Sequence, residues 1–195
     1  MTSNKLIQAF LGALLAVAAF AAQAVPVNVV FGDTLGPLDG GNVTSTMTSP
    51  GAGSGTITFN LLGYATVDGA NCCTDTFTFT VNGTTLFSGG FDMGGGGTNF
   101  INFIDPSVTI VSTQSFGFGA GGMTQFSVNH ALLAGLNSYS FDYGQMQGLG
   151  DEGWGLSQIV LTGDVRDPQN VPEPASLALL GLGLLGLAST RRRKQ

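Results

Sequence analysis

Two kinds of hydrophobic pattern divide this chain. Uncharged apolar runs stand near both ends, Leu6 to Ala22 and Ala175 to Thr190. Between them the apolar positions fall into short stretches of period two, the spacing of half-buried β-strands. These are Val25 to Phe31, Gly55 to Leu61, Thr76 to Val81, Thr84 to Ser88, Phe100 to Phe103, Val108 to Ser112, Phe116 to Gly119, Gln125 to Asn129, Ser138 to Tyr143 and Gly155 to Thr162. The clearest is Thr74 to Ser88, where Phe77, Phe79 and Val81 alternate with threonines and run into Asn82-Gly83, the dipeptide suited to a type I′ hairpin turn. Its phenylalanine face is expected in the core and its threonine face in solvent. Those threonines also invite an ice-binding reading, in which hydroxyls and methyls match a lattice, against ordinary β-propensity. No helical period appears between Val25 and Asn170, so the predicted fold is all-β: an antiparallel β-sandwich, arranged as a jelly roll.

The apolar ends predict targeting segments. Lys5, the run Leu6 to Ala22 and the A-x-A site at Ala22 and Ala24 form the pattern of a secretory signal peptide, implying the Sec export machinery and a mature start at Val25. The C-terminal run is uncharged from Ala175 to Thr190, has glycines but no polar stripe, and stops at Arg191-Arg192-Arg193-Lys194. As a helix it spans roughly 24 Å, short of the ~30 Å hydrocarbon core but able to cross if the bilayer thins or the flanks snorkel. The terminal cations favour the cytoplasmic side. The expected organisation is a signal helix over 1–24, a β-sandwich over 25–170, and a tail over 171–195 with a transmembrane helix and basic end.

Immediately before that helix lies Val171-Pro172-Glu173-Pro174. This motif, the leucine- and glycine-rich run and Arg191, Arg192 and Arg193 together resemble the PEP-CTERM sorting signal of Gram-negative bacteria. The same motif is sometimes catalogued under an ice-binding heading, which is a label and not an activity. The resemblance implies export, a transient stay in the inner membrane, recognition by an exosortase that cleaves near the VPEP motif, and release to the outer surface or exopolysaccharide matrix.

Charge narrows the partners. Between Val25 and Asn170 only Arg166 is cationic, against ten aspartates and Glu152, a formal −10 for this region. Such a domain cannot neutralise phosphates, so nucleic acid is excluded as a partner, and cations or neutral sugars are favoured. Solubility of an exported protein also accounts for acidity of this kind. Catalytic patterns are sparse. His130 is the only histidine and is expected to be an ordinary satisfied side chain; no G-x-S-x-G elbow is present; Gly94 to Gly97 lack the Lys-Ser/Thr of a phosphate loop and read as a flexible segment. Asp151 and Glu152 are adjacent, an unsuitable arrangement for a glycosidase pair unless Asp142 or Asp92 supplies the opposing carboxylate.

Two segments carry candidate chemistry. In Asp68-Gly69-Ala70-Asn71-Cys72-Cys73-Thr74-Asp75, Cys72 and Cys73 are the only cysteines. In an oxidising compartment a strained vicinal disulfide is expected, with reduced thiols or an intermolecular crosslink as alternatives. Asp68, Asn71 and Asp75 supply hard oxygen ligands for Ca²⁺, or form a plain Asx-turn network. In Gly150-Asp151-Glu152-Gly153-Trp154-Gly155-Leu156, the sole tryptophan stands beside two acids. Trp154 could stack on a sugar while Asp151 and Glu152 hold Ca²⁺ or hydroxyls; alternatively it plugs the end of the core. The segment resembles one near the end of exported β-sandwich domains that precede PEP-CTERM tails, some of them lectin-like. The expected function is therefore a non-catalytic surface or matrix protein that binds polysaccharide with Ca²⁺ assistance; the alternatives are a polysaccharide-active hydrolase or lyase, and an inert structural matrix protein.

Overall fold

The computed structural model describes residues 24–166 and, separately, Gly181. The expected signal peptide, including Ala22, and the expected transmembrane helix and sorting motif lie outside these residues. Among the described residues no helix is long and apolar enough to cross a membrane.

The compact unit Val25–Val165 is built from strands. In chain order they are β1 (Ala24–Val30), β2 (Thr34–Leu38), β3 (Asn42–Ser49), β4 (Gly53–Ala65), β5 (Val67–Asp68), β6 (Phe77–Val81), β7 (Thr84–Gly90), β8 (Gly94–Gly96), β9 (Phe100–Ile104), β10 (Val108–Ser115), β11 (Gly122–Leu132), β12 (Gly135–Asp142) and β13 (Glu152–Arg166). One sheet has the order β1-β13-β4-β11-β10, with β2 also on β13; a second has the order β3-β12-β6-β7-β9; β5 and β8 form a short parallel pair. The registered pairs within the two large sheets are antiparallel.

Period two explains why these sheets stack. Ile57, Phe59 and Leu61 of β4 and Phe126 and Val128 of β11 are buried on one sheet; Phe77 and Phe79 of β6 and Tyr139 and Phe141 of β12 are buried on the other. Phe59 meets its sheet neighbour Phe126 at 4.9 Å between ring centroids, and meets Phe79 at 5.0 Å and Phe141 at 4.9 Å across the interface. The result is an all-β sandwich with an aromatic core. The hairpin forms as expected: Asn82 and Gly83 take φ values of 50° and 79° between β6 and β7.

Three sequence expectations need correction. Phe116 to Gly119 is a turn, not a strand: the Phe116 N–H donates to the Gly121 carbonyl and the Ala120 N–H to the Gly117 carbonyl, both at 2.9 Å, with Gly117, Gly119 and Gly121 at φ values of 110°, 72° and 77°. The Gly94 to Gly97 segment is not a flexible loop over its whole length, since β8 pairs with β5. A Cβ at Gly95 would lie 2.2 Å from the Thr66 carbonyl oxygen and 2.4 Å from Asp68 Oδ1, so glycine permits this approach. β2 and β3 also exceed what the period predicts, and β3 pairs along β12 through Ser, Thr, Val43 and Met47.

Candidate functional site

The two acidic segments meet at one end of β4. Ala65, near the end of β4, pairs with Glu152 at the start of β13, while β5 follows directly after β4. This places Glu152 beside Asp68 on β5 and beside Asp75 just before β6. Carboxylate oxygens of Asp68, Asp75 and Glu152 lie within 4.8 Å of one another. All three residues are buried, at 8, 5 and 1 % exposure respectively.

Each carboxylate is tethered through one oxygen. Asn71 Nδ2 donates to Asp68 Oδ1, the Asp68 N–H donates to Asp75 Oδ2 at 2.7 Å, and the Gln147 N–H donates to Glu152 Oε1. Glu152 Oε2 is buried with no hydrogen-bond partner among the described residues. The buried Tyr143 hydroxyl likewise has none. Burial, followed by the charges of Asp75 and Glu152, pushes the Tyr143 hydroxyl far above its usual range.

Asp75 carries the electrostatic strain of the cluster. Burial first, then its hydrogen bond with Glu152 and the charges of Glu152 and Asp68, push its carboxyl up to about 7, while the hydrogen bond from the Asp68 N–H works in the opposite direction. In chelator-containing buffer, folded Asp75 therefore holds a proton between about pH 4 and 7 that unfolded Asp75 has released. Its contribution to stability should fall as pH rises through that window and be level above it. His130 has the opposite slope, because burial lowers its pKa and favours the neutral ring in the folded state. Urea midpoints measured across this range should thus show a declining component that Asp75→Asn removes; identical pH profiles for the two proteins would contradict this assignment.

The remaining residues of the two segments do other work. Asn71 holds Asp68, while its Oδ1 accepts from the Cys73 N–H at 2.6 Å, so its oxygen is engaged in a turn. Asp151 is exposed, and its Oδ1 accepts from Thr66 Oγ1 at 2.8 Å, which ties down the loop before β13 and also leaves it outside the cluster. Cys72 and Cys73 are free, with Sγ atoms 2.7 Å apart and no covalent bond, so the expected vicinal disulfide is not formed in this structure. The Cys73 thiol is pushed up, chiefly by its hydrogen bond with Cys72.

Trp154 corrects the sugar-stacking expectation. It has 0 % exposure, its Nε1 donates to the Gly40 carbonyl at 2.9 Å, and its ring lies 5.5 Å from that of Tyr143. A face buried in the core is not available to a sugar. The tryptophan plugs the sandwich under the acidic loop.

An open cleft of about 890 Å³ lies at the opposite end of β4. It includes Gly53 to Thr56, Asn129 to Ala131 and Thr162 to Asp164. Strand register assembles its polar surface in rows. Asn129, Thr56 and Thr162 stand abreast on β11, β4 and β13, and Ala131, Ser54 and Asp164 stand abreast two residues further along, hence on the same face. Thr56 Oγ1 donates to Asn129 Oδ1 at 2.7 Å, which orients the amide with its Nδ2 free to donate. His130 also lines the cleft; its Nε2 bonds the Tyr139 hydroxyl at 3.0 Å, but its Nδ1 is buried without a partner among the described residues, so it is only half satisfied. None of this was visible in the sequence, because the rows exist only once register is known.

Sandwich and tail together define an exported all-β protein with a C-terminal sorting signal. Residues 170–194 match the PEP-CTERM protein-sorting motif, which implies an exported protein that is anchored transiently at the membrane and processed by an exosortase. No match was found among curated proteins. Among solved structures, dimeric latent PorU from Porphyromonas gingivalis aligns at TM-score 0.45 and 12 % identity, over 77 % of this chain and 14 % of that one. A family 35 carbohydrate binding module from Clostridium thermocellum aligns at 0.34 and 16 %, over 73 % of this chain and 93 % of that one. CBM35 from Cellvibrio japonicus Abf62 aligns at 0.34 and 13 %, over 74 and 89 % of the two chains.

Proposed function

We propose that this protein is a non-catalytic component of the outer surface or exopolysaccharide matrix, and that its sandwich presents the cleft on β11, β4 and β13 to neutral polysaccharide. The chain switches repeatedly between sheets, from β3 to β4, β4 to β6, β9 to β10, β11 to β12 and β12 to β13, which supports a jelly roll as the framework. The single observation carrying the ligand reading is the pair of registered rows in the cleft, where Asn129, Thr56, Thr162, Ser54 and Asp164 offer an amide, hydroxyls and a carboxylate on one face. Sugar hydroxyls are recognised by groups of these kinds, and phosphate would be repelled by Asp164.

The positions of the carboxylates support the non-catalytic reading. Glycoside hydrolysis needs two carboxyl groups about 5 to 9 Å apart flanking an accessible bond. The cleft is lined by one, Asp164, and the three that lie together are buried at the other end of the sandwich. Ca²⁺ assistance directly at the sugar is also disfavoured, since one carboxylate provides a poor cage for a hard cation that takes six to eight oxygen ligands.

The test is retention of the full chain, in detergent, on immobilised exopolysaccharide from its host. The double variant Asn129→Ala/Asp164→Ala should lose at least fivefold in retention, while Trp154→Phe should bind as the parent does. New reducing ends or unsaturated sugars would show an enzyme; absence of retention by the parent protein would favour an inert matrix role.

A further inference from the structure

Among the described residues the acid cluster lacks a counter-charge. Asp68, Asp75 and Glu152 are buried together, and no Lys or Arg lies between Val25 and Val165, the first such residue after Lys5 being Arg166. Buried carboxylates without a partner cost several kcal/mol each, so they are retained where something pairs with them. The oxygen atoms give independent support. Glu152 Oε2 is buried and unpartnered within the cluster, and the buried Tyr143 hydroxyl is unpartnered as well.

The separation of the oxygens fits one ion. Two oxygens bound to the same Ca²⁺ at 2.3–2.6 Å can be at most about 5 Å apart, and the three carboxylates meet that limit at 4.8 Å. The donors are all hard oxygens, which favours Ca²⁺ or Mg²⁺ over the softer metals that seek His or Cys. They also come from two separate segments, Asp68 to Asp75 and the start of β13, an irregular arrangement better suited to Ca²⁺ than to the near-ideal octahedron that Mg²⁺ demands.

We propose that Asp68, Asp75 and Glu152 bind one Ca²⁺, which fastens β5 and the Cys72–Cys73 loop to the start of β13. The hydrogen bonds already described hold Asp68 Oδ1, Asp75 Oδ2 and Glu152 Oε1, and leave Glu152 Oε2 without a hydrogen-bond partner among the described residues. Gly95 is part of the site's construction, because a Cβ there would collide with Asp68 Oδ1. The role is structural: Glu152 and the cleft lie at opposite ends of β4, separated by about 30 Å at ~3.3 Å per residue. The site therefore stands or falls independently of glycan binding.

The test uses the full chain in detergent, stripped with chelator and titrated calorimetrically with Ca²⁺ alone, then with Mg²⁺ at equal ionic strength. One saturable Ca²⁺ per chain is expected, with at least tenfold weaker binding of Mg²⁺. Glu152→Gln and Asp75→Asn should each weaken Ca²⁺ binding at least tenfold, whereas Asp151→Asn, an exposed neighbour, should leave it unchanged. Both ligand variants preserve side-chain shape and remove a buried charge, and Trp154 fluorescence reports whether they fold. Absence of saturable binding to the parent protein would overturn the proposal whatever the variants do, as would an equal response to Mg²⁺ or unchanged binding by folded Glu152→Gln.

Discussion

Trp154→Ala should lower the free energy of unfolding by about 3–5 kcal/mol, measured by urea titration with circular dichroism. The side chain is fully buried, so truncation removes its packing against Tyr143 and leaves a cavity where β13 meets the end of the sandwich. It also orphans the Gly40 carbonyl, which accepts from Nε1 at 2.9 Å. Trp154→Phe keeps most of the packing and loses that hydrogen bond, so it should cost less, about 1–2 kcal/mol. This pairing separates the core role from a sugar platform: a platform residue, being exposed, would change stability by no more than about 0.5 kcal/mol when replaced.

Of the two readings the sequence allows for Trp154, sugar platform or core plug, the structure bears out the plug. In the sequence it stands next to Asp151 and Glu152, and three polar-capable neighbours suggest one surface site. In a strand, however, neighbours point to opposite faces, and the start of β13 is covered by β2, with Trp154 paired to Leu38. Glu152, paired with Ala65 of β4, is buried while Asp151, one residue earlier, stays in the exposed turn.

The hairpin of β6 and β7 was readable because a strict Phe/Thr alternation and an Asn-Gly turn both act within a few residues. β3 was not, because its partly buried positions include Ser45 beside Val43 and Met47, and it is held by pairing with β12 instead of by its own apolar pattern. Of the acid cluster, Asp68 and Asp75 were legible as candidate ligands from their shared loop. Their union with Glu152 depended on β5 following β4 and on the register of β13 against β4, both long-range facts. One local signal was present: Glu152 is the sole glutamate between Val25 and Asn170, a longer carboxylate among aspartates. The cleft had no such signal, since Ser, Thr and Asn on strand faces are ordinary.

The second large effect concerns the tail. Replacing Pro172 and Glu173 by alanine should abolish exosortase processing and leave the protein in the membrane fraction, because the motif at 170–194 is the sorting signal. The expected change is close to complete, as removal of a recognition motif from a protease-like step is felt in the transition state as well as in binding. The sandwich should fold unchanged, since its compact unit ends at Val165.

Intact-mass spectrometry of the protein recovered from the outer surface or matrix of its native host tests the central claim most directly. The account predicts a chain that starts at Val25 and ends near Val171–Pro174, without Arg191 to Lys194. A surface protein that still carries Arg191 to Lys194 would contradict it.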